Sequence, residues 1–165
     1  MPAGAVTAPK STPNAGAYAG LGDARLAEAN YSSARDALRT AHRLNPQDQQ
    51  VEQKLALADK VLGLDPTLRR LSSAERYARS LKLLEGSVGG LEQCLAVDGP
   101  PSAATKDAID QAHEVLSSHR RPRVLADSTE SNITLAEQLW VAHQQSCKTA
   151  PVDEALRRVL VRLSQ

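Results

Sequence analysis

The sequence predicts an all-α fold of about seven helices, arranged largely as an antiparallel helical bundle. Three observations point there. The apolar fraction is 41%, carried by Leu, Ala and Val, while Phe is absent and aromatics make up 2%. Side chains this small suit helices that approach closely, whereas sandwiches and barrels draw on β-branched and aromatic residues. Apolar residues also recur at gaps of three and four in one segment after another, the helical period, and no strand-like alternation appears. Pro and Gly punctuate these segments at short intervals, which implies short loops.

Residues 1–13 hold Ala, Pro, Gly, Thr and Ser without periodicity and read as a flexible tail. Asn14 fits an N-cap, and a first helix is expected to about Ala29, with Tyr18, Leu21, Ala24 and Arg25 on one face. A second is expected from about Ser32 to Leu44, with Ala34, Ala37, Leu38 and Ala41 inward. Asn45-Pro46 ends it, because a residue before proline is pushed out of the α region. A third spans about Gln47 to Leu62, with Val51, Leu55, Ala58 and Leu62 inward, and closes before Pro66.

Ser72 and Glu75 form a capping box for a fourth helix. Its stripe reads Ala74, Tyr77, Leu81, Leu84, Val88, Leu91 and Leu95. Gly86, Gly89 and Gly90 weaken helix propensity there and signal a kink or a close crossing. A fifth helix is expected over Ala103 to Ser118, with Ala108, Ile109, Ala112, Val115 and Leu116 inward. Asp127 and Glu130 then read as a capping pair for a sixth helix reaching Cys147, with Ile133, Ala136, Leu139, Trp140 and His143 on one face. Pro151 suits the start of a seventh, with Val152, Leu156, Val159, Leu160 and Leu163 inward. The division expected is a tail over 1–13, a helical unit with a capping helix over 14–66, and a C-terminal helical region over 67–165 that packs on it.

One segment carries a motif. Tyr18 is followed by Leu21-Gly22. Ala34, Leu38 and Ala41 come next, and Pro46 closes the stretch. The segment resembles a tetratricopeptide repeat, a helix–turn–helix unit of about 34 residues. Arg25 and Leu38 stand where that repeat usually has aromatics. With the helix that follows, the resemblance covers residues 15–64. It implies that Gly22 and Ala34 are small because two helices cross there. Tyr18, Leu21, Leu38 and Ala41 would fill the space between the helices. The resemblance further implies a groove lined by Gly16, Ala19, Asp23, Leu26 and Ala27. Members that hold a C-terminal carboxylate use Lys and Asn where this chain has Ala19 and Asp23, so a helix or peptide is the occupant implied here.

These readings favour a non-enzymatic interaction scaffold with a protein or peptide partner, within a larger assembly if three or so repeats are needed for stability. No catalytic residues, cofactor or metal are expected. His42, His113, His119 and His143 share no metal-ligand spacing, and no Gly-rich phosphate loop occurs. The net charge is +1 with both halves balanced, which favours neither nucleic acid nor an anionic membrane. One basic cluster, His119 to Arg123, and the pair Arg69-Arg70 are the basis of an alternative nucleic-acid-associated role. No run of about 18 apolar residues and no signal peptide are present, so a soluble protein is expected, cytoplasmic or, if trimmed, on the envelope side. Cys94 and Cys147 fit helix packing and are expected as buried free thiols; a single bridge in a bacterial envelope protein is the alternative. Trp140 is expected in the core, with a partner hot spot as the alternative.

Overall fold

The structure is a computed structural model that describes residues 14–118, 125–148 and 152–164. Among them the fold is all-helical, with seven helices and no strand. These are α1 (Ala15–Ala27), α2 (Tyr31–Leu44), α3 (Gln49–Leu64), α4 (Ser73–Asp98), α5 (Ala103–Ser117), α6 (Leu125–Ser146) and α7 (Glu154–Leu163). The chain forms two compact units, divided within α3 between Asp59 and Lys60. The expected tail over 1–13 and the basic cluster at 119–123 lie outside the described residues.

In the first unit α1 and α2 form a hairpin. Asn14 caps α1, its side chain accepting from the Gly16 amide at 2.8 Å. The Asn30 side chain caps α2 by accepting from the Ser33 amide at 3.2 Å. Between them, the Asn30 amide donates to the Arg25 carbonyl and the Ala29 amide to the Leu26 carbonyl. This double closure is the Schellman geometry, which places its C′ residue in the left-handed region. Ala29 occupies that position with φ 55°, where glycine is usual. Ala34, Leu38, Ala41 and Val51 make a buried cluster, with Tyr18, Ala19, Leu26 and Leu55 packed against it. Gly22 is buried at the crossing, where an added Cβ would lie 2.6 Å from Leu38 Cγ and Cδ2. Leu21 departs from expectation. It is 45% exposed rather than between the helices, because Gly22 and not Leu21 turns toward Leu38.

The second unit is built on α4 and α6. Ser80 of α4 accepts from Asn132 of α6 at 3.0 Å, and Cys94 near the end of α4 meets Cys147 just past the end of α6. Two such pairings at matching ends make α4 and α6 parallel neighbours. Helix α5 runs back alongside this pair, its His113 2.7 Å from Glu92 of α4. Consecutive helices are thus antiparallel, and the first and third of the trio share the principal interface.

The capping box of α4 forms as expected, with the Ser72 hydroxyl accepting from the Glu75 amide and the Ser72 amide donating to Glu75. The buried stripe is rotated from the expected one. Ser80, Leu83, Leu84, Ser87, Val88, Leu91 and Cys94 face inward, Tyr77, Leu81 and Leu95 are half-buried, and Ala74 is exposed. Burying the serines costs little because each hydroxyl donates to its own helix, Ser80 to the Tyr77 carbonyl and Ser87 to the Leu83 carbonyl, both at 2.8 Å. Helix α4 runs unbroken through its glycines. Gly86 is a close crossing, its missing Cβ 3.2 Å from Leu156 of α7. Helix α6 begins at Leu125, so Asp127 lies in its first turn rather than capping it. The side chain of Asp153 caps α7, accepting from the Leu156 amide at 3.1 Å. Asp65, only 1% exposed, pairs with Arg162 of α7 and accepts from the Thr67 amide and hydroxyl.

Candidate functional site

The expected groove residues lie along α1, and the structure separates their roles. Ala19 and Leu26 are half-buried against the cluster formed with Val51 and Leu55. Asp23 is paired with Lys54 of α3 at 2.7 Å. Ala27 is exposed. This face of α1 is therefore flanked in part by α3 of the same chain, and Gly16, Asp23 and Ala27 remain exposed along it. Of the residues expected to shape the repeat, Tyr18 packs on the cluster, Gly22, Ala34, Leu38 and Ala41 are buried, and Pro46 lies just beyond α2.

A second constellation lies at the C-terminal ends of α4 and α6. The cysteines expected as free thiols are joined. Cys94 and Cys147 form a disulfide, with Cα atoms 5.7 Å apart, inside the range such a bridge requires. The physical reason is the parallel pairing of α4 and α6, which brings both helix ends to one level; helical packing considered one segment at a time does not reveal this. Cys94 is fully buried and Cys147 half-buried.

Two more polar groups converge on the sulfurs, each one helical turn from a cysteine. Asp98 follows Cys94 on α4, and its Oδ2 lies 3.7 Å from Cys94 Sγ and 3.1 Å from the Lys148 amide, which donates to it. His143 precedes Cys147 on α6, and its carbonyl accepts from the Cys147 amide at 2.8 Å. A ring nitrogen of His143 and both sulfurs all lie within 4.8 Å of one another. The His143 ring is 7% exposed and stacks on Trp140, with centroids 5.5 Å apart and planes 18° from parallel. Burial pushes the His143 imidazole below its ordinary range, so the neutral ring is favoured. Trp140 is itself 7% exposed, a core residue and the wall that orients His143.

The sequence sets His143 four residues before Cys147, but nothing in it shows their meeting with Cys94 and Asp98. The two pairs lie on different helices, and only the register of α4 against α6 joins them. The chain matches no protein-family model, no curated protein and no solved structure in such comparisons.

Proposed function

We propose that the protein is a non-enzymatic interaction scaffold that binds a partner helix or peptide through a tetratricopeptide-like hairpin in its first unit. The observation that carries this reading is the α1–α2 crossing at Gly22. A fully buried Leu38 lies where any side chain on Gly22 would be. Small-residue crossings of this kind support repeat-like hairpins that offer one helix face to a ligand. The exposed end of that face is at Ala27.

The test compares capture of partners from native lysate by the full chain and by Ala27→Arg. Leu26 is unsuitable because it packs on the core cluster, so changing it alters stability as well as the surface. Partners retained by the wild type and lost by Ala27→Arg, with unchanged melting, are expected. Equal capture by both overturns the groove.

The Cys94–Cys147 bridge favours a second reading, in which the scaffold works in an oxidising compartment such as a bacterial envelope. Thiol counting on freshly isolated, unfolded protein is expected to find none; two free thiols would overturn this reading.

A further inference from the structure

We propose that Cys94, Asp98, His143 and Cys147 form a redox-gated binding site for a zinc-class divalent cation, open when the disulfide is reduced. The inference stands apart from the scaffold reading, which concerns α1. A structural disulfide needs no other polar group beside it. Here an imidazole reaches both sulfurs within 4.8 Å and a carboxylate oxygen lies 3.7 Å from one of them. Neighbouring ligand atoms around a tetrahedral zinc ion are about 3.5–3.8 Å apart, given its bond lengths to sulfur, nitrogen and oxygen. The Asp98–Cys94 separation already has that value. Closing the His143 distances needs a movement of about 1 Å, and the freed sulfurs need to part by roughly 2 Å.

The scaffold favours such a shell. The ligands come in two pairs four residues apart, Cys94 with Asp98 on α4, and His143 on α6 with Cys147 just past its end. His143 is held by its stack on Trp140 and presents a preset ring. Cys147 lies beyond the last residue of α6 and is half-buried, so it is the ligand best placed to adjust. Asp98 is exposed and gives an entry path from solvent. Two thiolates with one imidazole and one carboxylate suit zinc and its soft neighbours better than magnesium or calcium, which take all-oxygen shells.

The chemistry balances with a dithiol reductant. It supplies two electrons and two protons, becomes a disulfide itself, and cleaves the Cys94–Cys147 bond to two thiols. Binding the cation then releases those two protons to solvent. Exchange with a disulfide oxidant, which takes up those two electrons with two protons from solvent and becomes a dithiol, reforms the Sγ–Sγ bond and expels the ion, so bridge and metal exclude each other.

The test uses the full chain, reduced with a phosphine, moved to metal-free anaerobic buffer and titrated with Co²⁺. A thiolate-to-cobalt charge-transfer band with tetrahedral visible bands is expected, saturating at one ion per chain and bleached by Zn²⁺. The oxidised chain is expected to show none of these. Asp98→Asn and His143→Ala are each expected to weaken Zn²⁺ affinity about tenfold or more, since even residues that only support ligands carry that much. Asp98 is exposed, so its variant decides the matter if His143→Ala fails to fold. Absence of the band in the reduced chain, the same band in the oxidised chain, or unchanged affinity in a folded variant would overturn the site.

Discussion

Replacing Gly22 by Ala probes the α1–α2 crossing through a change of sign. The added methyl would sit 2.6 Å from two carbons of Leu38, which is fully buried and has no open side to swing into. Overpacking of this kind costs about 1–3 kcal/mol. Against it stands the helix propensity of Ala over Gly, about 1 kcal/mol. The net expectation is a loss of about 0–2 kcal/mol. Leu38→Ala alone is expected to cost about 2–5 kcal/mol through its cavity. In that background the clash is gone, so Gly22→Ala is expected to stabilise by about 1 kcal/mol, and the coupling energy equals the overpacking cost. The only Trp, Trp140, lies in the second unit, so its fluorescence is a poor monitor of α1. Native-state hydrogen exchange of α1 and α2 amides reads the effect directly. A stabilising Gly22→Ala of equal size in both backgrounds would refute the close crossing.

Ala29→Gly is expected to stabilise the first unit by about 0.5–1 kcal/mol in denaturant unfolding, because it removes a left-handed Ala while adding some unfolded-state entropy. Reduction of the Cys94–Cys147 bridge in metal-free buffer is expected to cost up to about 4 kcal/mol by loop entropy, given a separation of 53 residues, and to appear as a lower melting temperature. The hydrogen bond from Arg157 to Glu154, opposed by partial burial and helped by Arg158, holds the Glu154 carboxyl at about 2, below its ordinary 4.5. A lowered folded-state value gives stability that is fully present above pH 4.5 and lost as pH falls toward 2, so Glu154→Gln is expected to flatten the melting temperature over that window. Arg162→Met, which strands the buried Asp65 carboxylate with Thr67 alone, is expected to cost about 3 kcal/mol in thermal unfolding and more than Asp65→Asn.

The fold class was legible because it rests on local signals. Asn14, Ser72 with Glu75, and Asn45-Pro46 each mark a boundary within a few residues of where it falls, since capping and the pre-proline restriction act over one turn. The inward face of α4 was less legible. Ser80 and Ser87 look like surface residues until their hydroxyls are seen bonded to the helix carbonyls. The sulfur cluster was the least legible. Cys94 and Asp98 belong to α4, while His143 lies on α6 and Cys147 just past its end, and no periodicity in either helix specifies how α4 slides along α6. On α1 the sequence pattern sets Leu21 inward where the structure turns Gly22 to Leu38, and it does not say that Lys54 of the next helix pairs with Asp23 or that Leu55 packs on the same cluster as Ala19 and Leu26.

The bridge between α4 and α6 also changes what a cut in the backbone means. All of α5 and α6 lie between Cys94 and Cys147, so the chain forms a closed covalent ring there. A protease that opens one peptide bond inside the ring linearises it without releasing a fragment. The nicked protein keeps its mass apart from one added water and migrates as a single species until it is reduced, when two pieces separate. Damage in this stretch is thereby hidden from any size-based inspection done under oxidising conditions. The α4–α6 interface can also go on holding together a backbone that is no longer continuous.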